Sequence, residues 1–287
     1  MKPKEKLLIA GGDMRQLYCG ARLAERYETS IIGFDEELIP AGLSLNRADP
    51  AEKGGYDIAV LPVPAMDGDK ISTPCSRNGL VPELVKAMLK PSAKVFAGKI
   101  SKEMRQIFSD HELTDYMDRE ELSLMNAIPS AEGAVTLALE ELPVTLNGSK
   151  ALVVGCGRIG SALVGILKGF GAEVTVAVRN ATGAAKVGIL GAKSCWTKEI
   201  GGDFAVIFNT VPAMIFDRST LKKLTPGTLV IDLASKPGGV DFEAAAELGV
   251  RVIWALGLPG KCAPITAGEM IAETISGILS ERSEHDG

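Results

Sequence analysis

The sequence predicts an α/β chain folded into two domains, each a parallel β-sheet wrapped by helices. Three observations lead there. Short apolar, β-rich runs alternate with helix-period patterns along most of the chain. The 287 residues, 46% of them hydrophobic, supply enough apolar surface for two ordinary cores. One strand–turn–helix unit, ALVVGCGRIGSALVGILKGF from Ala151 to Phe170, carries the spacing Gly155-x-Gly157-x-x-Gly160. Together they imply two Rossmann-like domains, the second a doubly wound dinucleotide-binding domain.

The N-terminal part reads KLLIA as strand, MRQLYCGARLAERY as helix, TSIIGF and DIAVLPV as strands, PELVKAMLK as helix and KVFAGKI as strand. Pro62 to Gly79, rich in Pro, Gly, Ser and Asp, reads as a long loop. From Arg119 to Leu142 two helical stretches are expected, broken at Pro129 because its ring and missing N–H end the first. Ser130 then serves as N-cap of AEGAVTLALEEL, with Glu132 in its first turn. After the turn Leu146–Ser149 come ALVVG, VTVAV, a short strand near KSCW, DFAVIFNTV, GTLVIDLA and RVIWAL, six strands with interleaved helices. APITAGEMIAETISGILSER closes the chain as an amphipathic helix with Ile271, Ile275 and Ile278 on one side, followed by a fraying tail SEHDG. The expected division is 1–142 as a substrate domain, 143–262 as the dinucleotide domain, and helix 263–283 packing back on the first.

Several classes are disfavoured. A net charge of -5 without a basic stripe argues against nucleic acid. The five cysteines form no CxxC pair and have no histidine cluster, so neither a zinc site nor a disulfide framework is expected. The apolar run LLIA near the N-terminus is too short for a signal peptide or membrane span, so a cytoplasmic protein is expected. His111 sits in the polar run SDHELTD and reads as a surface residue.

In the glycine unit, Gly155 permits the tight turn, Gly157 lets a pyrophosphate approach the backbone, and Gly160 lets the helix close on the sheet. Arg158 and Ile159 begin a helix whose free N–H groups and positive dipole end suit a phosphate. The next strand ends VAVRN, where an NAD-binding unit would carry a carboxylate for the ribose 2′-hydroxyl. Arg179 can instead form a fork with a 2′-phosphate, so NADP is the expected cofactor. Asn180 and Thr182 add hydrogen-bonding groups and Lys186 adds charge. Thr210, Val211 and Pro212 end a later strand where a loop passes near the nicotinamide ribose.

The chain resembles the A-subunit family of dipicolinate synthases from spore-forming bacteria. The resemblance rests on GGDMRQ (Gly11–Gln16), DYMDREELSLMNAIPSAEGAV (Asp115–Val135), the glycine unit, IDLASKPGGVDF (Ile231–Phe242) and ALGLPGKCAPITAGEMI (Ala255–Ile271). Ser130 stands where threonine is expected, a small change between two hydroxyl side chains. The resemblance implies NADP-dependent oxidation of a dihydrodipicolinate-type ring to pyridine-2,6-dicarboxylate. It also implies a partner, the flavoprotein-like dipicolinate synthase B subunit, while the chain itself is expected to form a homo-oligomer. A small dicarboxylate substrate needs cationic or N–H partners. Arg119, Lys236 and the helix start at Ser130 are the leading candidates, with Arg15 and Lys261 behind them. Arg119 and Ser130 are expected to hold one carboxylate, Lys236 the other, and Glu132 is a candidate weak base. Competing readings are an NADP-dependent shikimate- or hydroxyacid-type dehydrogenase, and a non-catalytic NADP-binding regulatory protein.

Overall fold

The computed structural model describes residues 4–285. It forms two compact units: residues up to Asn126 with those from Ala263 onward, and Ala127–Cys262. The first unit contains β1 (Lys6–Ala10), α1 (Met14–Leu23), β2 (Glu28–Ile32), β3 (Asn46–Arg47), β4 (Tyr56–Val60), β5 (Met66–Asp67), β6 (Lys70–Ile71), α2 (Pro82–Met88), β7 (Leu89–Ala97), α3 (Lys102–Ile107), β8 (Glu112–Asp115) and α4 (Glu120–Met125). Its sheet is parallel, in the order β3-β2-β1-β4-β7-β8. Alternation along β1 explains the two layers of core. Leu7 and Ile9 pack with Leu17 of α1, while Leu8 and Ala10 pack with Val85 and Met88 of α2 and Met104 of α3.

The second unit contains α5 (Ala127–Glu141), β9 (Lys150–Val154), α6 (Arg158–Gly169), β10 (Glu173–Val178), α7 (Ala181–Ile189), β11 (Lys193–Trp196), β12 (Val206–Asn209), α8 (Arg218–Leu221), β13 (Leu229–Asp232), α9 (Phe242–Glu247), β14 (Arg251–Trp254) and α10 (Leu258–Cys262). Its sheet is also parallel, in the order β11-β10-β9-β12-β13-β14. Numbered within the unit as 3-2-1-4-5-6, this is the doubly wound order, with its switch point between β9 and β12. Both units are therefore Rossmann-like.

The last helix, α11 (Pro264–His285), belongs to the first unit. Gly268 makes its docking possible, because a Cβ there would lie 2.4 Å from the Arg15 carbonyl oxygen. Ile271, Ile275 and Ile278 are all buried in the cluster that holds Leu7 and Leu17. Each such isoleucine contributes about 1.5–3 kcal/mol by leaving water. Asp286 and Gly287 of the expected fraying tail lie outside the described residues.

Several expectations are corrected. The helical break falls at Asn126 rather than Pro129: α5 begins at Ala127, and Pro129 sits in its first turn, where no intrahelical N–H donation is demanded. Ser130 is thus not an N-cap, and Glu132 lies beyond the first turn on an exposed face. Helix α5 falls in the second unit, so the chain divides at Asn126 rather than at residue 142. Gly133 explains part of that grouping: a Cβ there would lie 2.8 Å from Cys262 Sγ and 3.1 Å from Leu258 Cβ of α10. The Pro62–Gly79 loop carries the small antiparallel pair β5–β6. His111 is half-buried and edge-on to Phe108, with neither ring nitrogen hydrogen-bonded. The run 120–141 is long and apolar enough to cross a membrane, but half of its apolar window is buried inside the fold, as in a core helix.

Candidate functional site

At the carboxyl ends of β9, β10 and β12 the second unit holds a cavity of about 650 Å³, within the range of small-molecule sites. The three glycines of the 155–160 turn have separate reasons. Gly155 has φ +95°, and a Cβ there would meet Thr210 Oγ1 at 2.7 Å and Val211 Cγ2 at 2.8 Å. At Gly160 a Cβ would lie 2.1 Å from the Gly155 carbonyl oxygen, so α6 approaches the strand as closely as it does only with glycine. Gly157, the N-cap of α6, is different: a Cβ there meets nothing within 4 Å. Open space over a helix N-terminus is the cradle a pyrophosphate needs, so the residues present fit a dinucleotide.

Gly155, Gly157, Arg179, Asn180, Thr182, Thr210, Val211 and Pro212 all line this cavity. Arg158, Ile159 and Gly160 do not; Arg158 is exposed at the start of α6, and Ile159 packs toward the core. Around the end of β10 the wall is cationic. Arg179 and Lys186 are exposed and form no ion pair among the described residues, and no lining residue is acidic. Asn180 is partly committed, since its Oδ1 accepts from Gly183 N at 2.9 Å and caps α7. Its NH₂ group remains a donor. Thr197, just past the end of β11, also lines the cavity; the sequence alone does not reveal it, because a short edge strand carries little signal.

The opposite wall is built from Thr210 to Ile215. Thr210 is fixed through its N–H and Oγ1, both donating to the Val154 carbonyl oxygen at 3.0 and 2.8 Å. Asn209, fully buried, brackets Val211: its Nδ2 donates to Val211 O at 3.1 Å, and its Oδ1 accepts from Val211 N at 3.2 Å.

The expected substrate anchors fall on both units, Arg15 and Arg119 on the first and Ser130, Lys236 and Lys261 on the second. Arg119, in the first unit, is engaged by Glu281 at 2.7 and 2.9 Å and by Glu121 at 2.5 Å, and these carboxylates push its pKa further up. Arg15 is likewise taken, with its guanidinium on Asp13 and on the Val63 carbonyl oxygen. Lys236 differs: it is exposed on the loop after β13 and forms no ion pair among the described residues. Lys261 lies exposed on α10. Among the described residues no three His, Cys, Asp or Glu side chains gather as a metal site.

Known proteins divide along the same lines. Residues 6–117 match the family of the dipicolinate synthase A subunit, N-terminal domain. Residues 131–245 match the D-isomer specific 2-hydroxyacid dehydrogenase, NAD binding domain. The dipicolinate synthase A subunit of Bacillus subtilis (strain 168) is 31% identical over 98% of both chains. The crystal structure of the dipicolinate synthase A chain from Bacillus subtilis superposes with a TM-score of 0.85 at 30% identity, covering 99% of each chain. That of the dipicolinate synthase A subunit from Bacillus halodurans gives 0.86 at 29%, covering 97% of this chain and 99% of the other. The second unit is thus a nicotinamide-dinucleotide domain of the dehydrogenase type, and the chain belongs to the A-subunit family of dipicolinate synthases.

Proposed function

We propose that this protein is an NADP-dependent oxidoreductase that converts a dihydrodipicolinate-type ring to dipicolinate in the cytoplasm, working with a dipicolinate synthase B subunit. The observation that carries the cofactor assignment is the cationic, carboxylate-free wall at the end of β10. Arg179 offers a planar fork to a 2′-phosphate, Lys186 adds a second charge, and Asn180 and Thr182 supply hydrogen-bonding groups beside the N-terminus of α7. An NAD-selective wall would carry an acidic side chain there, and none lines the cavity.

Bound in this cavity, NADP⁺ would accept a hydride from the substrate ring. The chain's own task is then positioning. Gly155 lets the turn close against Thr210 and Val211, Gly157 leaves it open for the pyrophosphate, and the N–H groups of α6 would hold that group. Thr210, pinned to Val154, and Val211, bracketed by Asn209, give the nicotinamide half a rigid wall. Lys236 provides the cation for a substrate carboxylate from the loop after β13. Titration calorimetry with NADP⁺ and NAD⁺ tests the assignment: NADP⁺ should bind at least about tenfold more tightly, as a charge-assisted fork implies. Equal affinities would overturn it.

A further inference from the structure

The carboxyl group of Asp232 closes β13 and is completely excluded from solvent. It meets three donors, all neutral: Asn209 Nδ2 at 2.8 Å and Ala234 N at 3.1 Å on Oδ1, and Gly239 N at 2.8 Å on Oδ2. It forms no ion pair among the described residues. A buried acid of this kind is costly to keep for stability alone, because charge leaves water without a cation to meet it.

Two of its three bonds reach the nucleotide cavity, each along its own arm. Through Asn209 the first arm holds both backbone groups of Val211, which lines the cavity. Through Gly239 the second arm reaches Ile215, whose N–H donates to the Gly239 carbonyl oxygen at 3.0 Å and which also lines the cavity. Gly239 must be glycine for this, since a Cβ would lie 2.2 Å from Asn209 Nδ2. The wall so held lies at the ends of β12 and β13, across the switch point from Arg179 at the end of β10. A dinucleotide laid across the switch point places its nicotinamide half on that side.

We infer that Asp232 is a positioning residue for the nicotinamide end of the cavity, and that its buried negative charge makes the site favour the oxidised, cationic ring over the neutral reduced one. The inference rests on the dinucleotide assignment proposed for this cavity. Asn209 and Gly239 transmit the geometry, and the carboxylate supplies the field.

The test is the affinity of Asp232→Asn for the two redox forms, read by calorimetry for NADP⁺ and by fluorescence titration for NADPH. An amide of the same shape removes the charge and also cannot accept from Gly239 N–H through its NH₂, so both forms should weaken through that arm, and NADP⁺ about tenfold more than NADPH. Asn209→Ser keeps the charge and removes one arm; both forms should weaken together, by roughly tenfold, with their ratio held. An unchanged ratio in Asp232→Asn overturns the inference. Should that variant fail to fold, Asn209→Ser decides, and undiminished binding there overturns it. Failure of the wild-type protein to bind either nucleotide pair removes the dinucleotide assignment and the inference with it. Binding of NAD(H) in place of NADP(H) removes only the cofactor preference, and the same ratio is then read with NAD⁺ and NADH.

Discussion

Replacing Gly157 by alanine separates the cofactor cradle from the fold. The backbone there (φ −90°, ψ −160°) suits any residue, and the added methyl meets no protein atom within 4 Å. The cost to folding is therefore that of losing a good N-cap, up to about 1 kcal/mol, or a drop of about 2–4 °C in Tm for a chain of this size. The cost to binding is larger, because the methyl occupies the space through which a pyrophosphate would reach the N–H groups of α6. Losing two charge-assisted bonds at about 1.5–3 kcal/mol each weakens binding by at least about 10²-fold. Gly155→Ala makes the contrast. With φ +95° and Thr210 Oγ1 at 2.7 Å, it should lose about 1–3 kcal/mol of stability through strain alone. Thermal melts and calorimetric titration of both variants give the comparison. A Gly157→Ala protein that binds NADP⁺ as tightly as wild type would refute the cradle.

Arg179→Asp should collapse or reverse the preference for NADP⁺ over NAD⁺ in titrations, by about 10- to 100-fold, since it removes a cation and adds an acceptor for a free ribose hydroxyl. Lys236→Ala should lower kcat/KM by about 10²-fold, roughly 2.7 kcal/mol, with little change in NADP⁺ affinity. Arg119→Ala, which breaks exposed ion pairs to Glu281 and Glu121, should cost at most about 1 kcal/mol of stability and change turnover only slightly. For Asp57, burial pushes the pKa up, but Lys90 at 2.6 Å and Lys6 N at 3.0 Å outweigh it and hold the carboxyl below its ordinary value. Stability from a depressed carboxyl is present above its unfolded value, about 3.9, and is lost as pH falls through the lower folded one. Denaturation at stepped pH should accordingly show wild type losing more stability below about pH 4 than Asp57→Asn.

The glycine turn is legible in the sequence because three positions with three different steric demands leave a fixed spacing, and the flanking strand and helix are strongly periodic. Arg179 is legible by its place at the end of β10. The edge strands β3 and β8 are not, because the polar runs NR and ELTD give no alternation to read. Pro129 misleads for a physical reason: proline ends a helix when it falls in the interior, yet fits the first turn, and only the position of the break at Asn126 distinguishes the two. The pairing of Arg119 with Glu281 is not legible, because that partner lies 162 residues away along the chain. Asp232 and Asn209 give no signal as a pair, since their contact depends on the pairing of β12 with β13.

Whether the cavity at the ends of β9, β10 and β12 serves NADP-linked oxidation of the ring is decided by one measurement. Freshly prepared dihydrodipicolinate is added to the protein with NADP⁺, and the absorbance of the reduced nicotinamide is followed with the B subunit present or omitted, NAD⁺ being the control. Reduced cofactor and dipicolinate should appear together in equal amounts, faster with NADP⁺ than with NAD⁺. Dipicolinate formed without any reduction of nucleotide, or no reaction even when the B subunit is present, would contradict NADP-linked oxidation.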